Sequence, residues 1–293
     1  MKLFRNRLFD NLIKLLTVLT LLALAFVILF IVLDALPVFD EVTLGDFLFK
    51  TRWMPIDFGN GSAFGIGNFI LGTVFVSFVA MLIALFISIG AALFLSCAVG
   101  ERARRLIYPV IDLLAGIPSV VYGFIGLSVL VKLFIKAGVH TGSCVLAAGI
   151  LLAVMLLPYL VSSCSETMLK LNERYMGAAE AMGVDRWYAA ATIILPAAWK
   201  NILLSMILAI GRAMGETMAV MMVMGNANLT PTLLGKGETI AALIALEMGT
   251  AVSGSTHYHA LYAAGLVLMI LLFAITVSIN LIRRRLLSRG EVL

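Results

Sequence analysis

Residues Asn201 to Met224 read NILLSMILAIGRAMGETMAVMMVM, an apolar run with Arg212 and Glu216 inside it. About 20 helical residues cross the ~30 Å hydrocarbon core of a bilayer, so a run of this length is a membrane span. Working outward from it, five more such windows appear. They cover Leu15 to Leu33, about Phe69 to Cys97, about Leu106 to Ile135, about Cys144 to Ser163 and about Ala260 to Ile282. The uncharged stretch from Phe58 to Gly100 is too long for one crossing, and Gly59, Gly61, Gly65 and Gly67 mark its first part as loop. Gly116 and Pro118 interrupt the third window, and Pro158 lies inside the fourth. Membrane barrels need alternating segments of about ten residues, which these continuous runs are not. The fold class is an all-α integral membrane protein with six transmembrane helices.

Composition agrees. Of 293 residues 62% are hydrophobic and 13% charged, with a mean hydropathy of +1.09. Soluble domains carry about a quarter charged residues, so this chain lacks the ionic surface to cover itself in water. A secreted disulfide scaffold, a disordered tail and an ordinary cytosolic enzyme are excluded. Cys97, Cys144 and Cys164 lie scattered in apolar surroundings and read as small core residues rather than a disulfide framework or a metal site.

Alternating the crossings puts fifteen Lys and Arg on the side of the N-terminus, the 98–105 loop, the 164–198 segment and the C-terminus, against five on the other side. Basic residues favour the cytoplasmic face, so both termini are expected inside. The net charge of +5 is therefore a topology signal and not a nucleic-acid footprint. Residues 1–36 read as a retained N-terminal anchor helix, because the apolar run exceeds a signal peptide's and lacks a small-residue cleavage site. Residues 37–68 form an external loop, 69–282 a five-helix core with a cytoplasmic loop at 165–198, and 283–293 a basic cytoplasmic tail.

The cytoplasmic segment is long for a connection. Asn172 to Met182 reads as a short helix, Gly183 as its stop, Asp185 as the N-cap of a second helix from Arg186, and Pro196 as its terminator. Gly177, Ala178, Ala179 and Ala181 give the first helix little bulk. Such a helix either seats in a groove of a cytoplasmic partner or lies along lipid headgroups with Trp187 and Tyr188 as interfacial aromatics. Gly177-Ala-Ala-Glu-Ala-Met-Gly183, followed by Ile193-Ile-Leu-Pro196, resembles the coupling loop of ABC-importer permeases. Leu114-Ala-Gly-Ile-Pro-Ser-Val-Val-Tyr-Gly123 and Gly211-Arg-Ala-Met-Gly-Glu-Thr-Met-Ala-Val220 resemble signatures of the PstC permeases of phosphate importers more than those of their PstA sisters. In order, these motifs span roughly residues 60 to 282. One departure is that Gly177 stands where the family usually has its first Glu, with Glu180 three residues later.

The resemblance implies a type I ABC-importer permease architecture and a place in the cytoplasmic (inner) membrane of a bacterium or archaeon. It implies a heterodimer with a PstA-like permease, two PstB-like ATPases docked at Gly177, Ala178, Ala179, Glu180 and Gly183, and an external phosphate-binding protein. Phosphate would move inward, driven by ATP with Mg on the partner ATPase. The chain itself would be no enzyme and would carry no cofactor; no G-x-x-x-x-G-K-[ST] loop exists in it.

Arg212 and Glu216 are the strongest chemical signal in the residues themselves. Arg212 lies ~18 Å along a helix from Lys200, near the middle of the core. A charge there costs at least ~2.5–3.5 kcal/mol, so it must face protein or water. On a continuous helix Glu216 is one turn away on the same face. The pair is either a structural ion pair or a cation held for an anion, its fork suited to an oxyanion and oriented by Glu216. Resemblance to phosphate permeases favours the second reading, a substrate pathway at Arg212 and Glu216.

Other residues are less pointed. Gly116, Pro118 and Ser119 mark either a pathway-lining bend or a plain kink. Asp112 reads as an interfacial residue, and Met214, Met218, Met221, Met222 and Met224 as adaptable packing. His257 and His259 lie in a polar turn with no third ligand beside them, so no metal is expected. Ile240, Leu243, Ile244 and Leu246 form an apolar stripe on an external helix that either caps the pathway or meets a partner. An intramembrane enzyme would need a catalytic Ser-His, paired-Asp or H-E-x-x-H set, and the His residues read as loop residues. A receptor or scaffold accounts for the outer helix but not for Arg212. Transport is the reading that uses all of these features, with sulfate and molybdate as the alternative oxyanions.

Overall fold

The computed structural model describes residues 2–56 and 61–288, with side-chain detail for 9–56 and 61–281. Residues 289–293 of the basic tail, and the side chains of Lys2, Arg5, Arg7 and Arg283 to Arg285, lie outside the described set. Among the described residues six helical stretches are long and apolar enough to span a membrane: Phe9–Asp40, Gly67–Ala98, Ser119–Lys136, Val145–Ala181, Arg186–Met214 and Thr256–Leu281. The all-helical reading stands, apart from a two-residue antiparallel pair, β1 (Trp53–Met54) with β2 (Ala63–Phe64).

In order, α1 (Lys2–Ala35) leads through a 3-10 turn to α2 (Leu44–Phe49), the β pair and α3 (Gly67–Leu93). Then come α4 (Glu101–Ala115), α5 (Ser119–Ile125), α6 (Val131–Lys136) and the 37-residue α7 (Val145–Ala181). They are followed by α8 (Arg186–Ala189), α9 (Leu195–Met214), α10 (Met218–Met224), α11 (Ile240–Glu247) and α12 (Thr256–Ser288).

Three of these boundaries differ from the sequence reading. The third window divides, because Ile117 and Pro118 leave the helix after Gly116 caps α4. The span therefore begins at Ser119, and residues 106–115 belong to α4, a separate amphipathic helix with no fully buried residue. The expected short helix at 172–182 is the continuation of α7, which runs unbroken from the fourth span. Pro196 does not terminate a helix. A wide π turn at Ala190–Ile194, closed by the Leu195 amide on the Ala190 carbonyl, delivers Pro196 to the first turn of α9, where a missing N–H costs little.

Packing falls into three buried clusters. In the middle, Ala80, Ala84, Ala148, Leu152, Leu156, Ala209 and Ala213 bring α3, α7 and α9 together. Small residues let these helices approach closely in a solvent that offers no hydrophobic drive between them, and a Cβ on Gly149 would stand 2.6 Å from Val79. One end, here called the basic end, holds Cys97, Cys164, Met168, Met176, Ala179, Ala189 and Ile194. The other, the cap end, joins Phe47, Trp53, Phe64, Ile66, Phe69, Ile240, Leu243 and Leu261. Leaning on α12 through a Phe30–Tyr262 edge contact of 5.7 Å and burying Ala35 at its end, α1 leaves most of its apolar residues exposed, as a lipid-facing helix would.

Candidate functional site

The chain around Arg212 is not one helix. Met214 is the last residue of α9, Gly215 caps it, and α10 starts at Met218. Local chemistry accounts for the break. Gly215 is flexible, the Thr217 hydroxyl bonds the Gly215 carbonyl at 3.3 Å, and the Glu216 carboxylate accepts the Ala219 amide at 3.2 Å. The expected turn-spaced Arg212–Glu216 pair is therefore absent from the ion pairs among the described residues. Glu216 serves the first turn of α10, which satisfies one of its orphan amides. Arg212 is left exposed on the last turn of α9, between the fully buried Ala209 and the buried Ala213.

The second break lies close by. Tyr122 of α5 donates to the Leu114 carbonyl at 2.9 Å, which ties α5 back across Gly116 and Pro118 to the end of α4. Arg212 is within electrostatic reach of that same hydroxyl. Between the two interruptions α5 packs on α10 with almost no side chain between them. A Cβ on Gly123 would meet Met222 Sδ at 2.7 Å and Ala219 Cα at 3.1 Å. Gly116, Pro118 and Ser119 thus sit at one break, Arg212 and Glu216 at the other, and Tyr122 and Gly123 join them. Sequence reasoning took Gly123 only as a residue that loosens the helix and missed Tyr122 altogether, although both stood inside the quoted motif; a Tyr-Gly pair just past a helix break was the available signal.

At the basic end the α7 terminus is a Schellman cap. The Val184 amide bonds the Ala179 carbonyl at 3.0 Å and the Gly183 amide bonds Glu180 at 3.0 Å, with Gly183 at φ +75. Asp185 caps α8 as its position suggested, accepting from Trp187 at 3.0 Å and Tyr188 at 3.2 Å. Gly177, Ala178, Glu180 and Gly183 are exposed, whereas Ala179 is 1% exposed and packs inward. Ala179 cannot present surface to a partner, because residues three and four apart along α7 already place it over Met176 in the buried cluster. A Cβ on Gly177 would meet nothing within 4 Å. Glu180 approaches Arg186 at 3.9 Å, both exposed, a contact worth little.

At the cap end the polar groups are used internally. Glu247 accepts from Trp53 Nε1 at 2.9 Å and meets His257 Nε2 at 2.8 Å, while His259 Nδ1 lies 2.7 Å from the Asp34 carbonyl. Both histidines stand on the first turn of α12 rather than in a loop. No cluster of metal-ligating side chains exists among the described residues. Ile240 and Leu243 of the external stripe are fully buried against α3 and α12, and only Leu246 remains exposed. Burial, with the Glu247 charge nearby, pushes the Glu238 carboxyl up to about 7.

Exposed motifs at one end, a satisfied cap at the other and two broken spans between them define a membrane permease component. The chain belongs to the family described as binding-protein-dependent transport system inner membrane component, which it matches over residues 84–289. It is 37% identical over 266 residues to the phosphate transport system permease protein PstC of Xylella fastidiosa (strain Temecula1), covering 84% of this chain and 80% of that one. It is 35% identical over 244 residues to the probable ABC transporter permease protein YqgH of Bacillus subtilis, covering 82% and 78%. The probable PstC of Methanocaldococcus jannaschii is 33% identical over 270 residues, covering 85% and 83%. Among solved structures, a bacterial ABC transporter that imports alginate superposes with a TM-score of 0.59 at 16% identity, covering 90% of this chain and 95% of that one. An inward-facing MetNI methionine transporter gives 0.58 at 17%, covering 73% and 92%. These two share the fold.

Proposed function

We propose that this chain is half of the membrane pathway of an ABC importer that moves inorganic phosphate inward, and that the basic end is its cytoplasmic face. The observation that carries the reading is Arg212, a permanent cation left exposed on a spanning helix beside two helix breaks. Facing lipid there would cost at least ~2.5–3.5 kcal/mol, so that face belongs against a second subunit or a water-filled route. An arginine fork donates two parallel hydrogen bonds to a tetrahedral oxyanion, and the relatives at 31–37% identity whose names specify phosphate transport supply the anion. Glu216 holds the start of α10 rather than the guanidinium, which leaves Arg212 free to meet substrate.

The relatives, together with the surfaces left exposed, support a set of partners. A PstA-like permease covers the Arg212 face, residues 1–36 anchor the chain in lipid, and 37–68 with α11 face an external phosphate-binding protein. A pair of PstB-like ATPases supplies ATP hydrolysis with Mg, one of them seated on the loop 165–198 at Gly177, Ala178, Glu180 and Gly183. The fifteen basic residues that alternating the crossings assigns to this side, four of them in the 283–293 tail, support its cytoplasmic placement. Purified transporter in sealed vesicles, energised with internal ATP and external binding protein, should accumulate labelled phosphate in preference to sulfate or molybdate. Equal accumulation of sulfate would reject the substrate assignment, and failure to co-purify with an ATPase would reject the assembly.

A further inference from the structure

The half-buried residues of α4 are Arg104, Ile107, Tyr108 and Ile111, and the rest of that helix is exposed. Their spacing is a single inward stripe, i, i+3, i+4 and i+7, and it begins with an arginine. Tyr108 fixes the stripe on α7 by a 3.0 Å bond to Ser165 Oγ. Beside it Ile107, Ile111 and Leu114 line an apolar groove with Ile87 of α3, Phe94 of the π turn that follows α3 and Pro158 of α7, about 410 Å³ in volume. The groove ends one turn short of Arg104. Arg104 itself is half-buried, and its Nη1 is buried with no hydrogen-bond partner. Glu101 is engaged by Arg105, and no ion pair among the described residues involves Arg102 or Arg104.

An acyl-sized apolar slot with an unpaired arginine one helical turn beyond it on the same stripe has the shape and charge of one kind of molecule. We propose that an anionic glycerophospholipid occupies it, one acyl chain in the groove and the headgroup phosphate on Arg104, with Arg102 adding to the field. A zwitterionic lipid fits the slot but leaves the arginine facing a compensating ammonium, whereas an anionic headgroup meets two basic residues near the bilayer surface. Free phosphate shares the phosphate chemistry but not the acyl chain. The orientation given above enters only in choosing the leaflet, the cytoplasmic one. Because α4 runs to the Gly116–Pro118 break and is tied to α5 by Tyr122, the lipid would brace that break.

The test uses the assembled transporter in nanodiscs that mix phosphatidylglycerol with phosphatidylcholine, read by native mass spectrometry for retained lipid. Phosphatidylglycerol should be retained over phosphatidylcholine, and Arg104→Gln should lower its retention about fivefold, the effect of one basic residue toward an anionic surface. Arg104→Lys should keep most of it, and Arg105→Gln, which removes an already paired exposed charge, should change it less than Arg104→Gln. Ala91 of α3 also lines the groove, and Ala91→Phe, which fills it without touching a charge, should also lower retention. Inorganic phosphate at millimolar concentration should displace nothing. Equal retention of the two lipids, displacement by inorganic phosphate, or equal loss in the Arg104 and Arg105 variants overturns the proposal. None of these readouts depends on which anion the transporter carries.

Discussion

Two spans of this chain treat interruption in opposite ways. In α7 a proline stands at position 158, yet the helix runs for 37 residues from one end of the bundle to beyond the other. In the fifth span the only proline is in the first turn of α9, yet the helix stops at Met214. Proline removes one intrahelical bond and crowds the preceding turn, at about 3 kcal/mol, and burial of α7 between α3 and α9 offsets that. At 215–217 the backbone is offered alternatives, the Glu216 carboxylate and the Thr217 hydroxyl, next to a glycine. Helices in a low-dielectric interior yield where side chains supply replacement hydrogen bonds. The comparison teaches that the break is built by polar side chains at the position where the free cation stands.

The largest disruption should come from Gly123→Leu, which puts a side chain where Ala219 Cα already stands 3.1 Å from a Cβ. Both backbones would have to part, so little folded transporter should be recovered by size-exclusion chromatography. Ala179→Trp comes next. Since Ala179 is buried in the chain's own cluster, the variant should lose about 1–3 kcal/mol from overpacking and show a lower melting temperature before any change in ATPase docking. A normal melting temperature with lost docking would restore Ala179 to the partner surface.

Glu216 sharpens the contrast more finely. As a backbone acceptor it should tolerate Gln, with uptake near wild type, while Glu216→Ala should cost about 1 kcal/mol, as loss of a helix cap does. Loss of uptake in both would return Glu216 to the guanidinium. The smallest effect belongs to α7. Pro158→Ala should leave uptake within about twofold of wild type, because no break there depends on the proline. A large change would mean that α7 bends in the working cycle.

Much of this was legible in the sequence. Span count followed from apolar length, the Schellman cap at Gly183 and the α8 cap at Asp185 from residue type, and the family from three ordered motifs. What escaped was how helices meet. Continuity of α7 past Ser163 was hidden because polar residues there look like a loop when they are only a helix leaving the bilayer. The exposure of Arg212 without Glu216 was hidden because turn spacing presumes an unbroken helix. Burial of Ala179 among small neighbours that are exposed was hidden because alanines look alike until a packing partner exists.

The central claim is that Arg212 serves the anion and not the fold, and one paired measurement on Arg212→Gln decides it. Amount of assembled transporter and initial rate of labelled phosphate uptake should be read from the same reconstituted preparation, with Arg212→Lys alongside. The account predicts wild-type assembly for both variants, uptake abolished in Gln and reduced but present in Lys, since charge remains while the fork is lost. Assembly that fails in proportion to uptake, or normal uptake in Arg212→Gln, would contradict it.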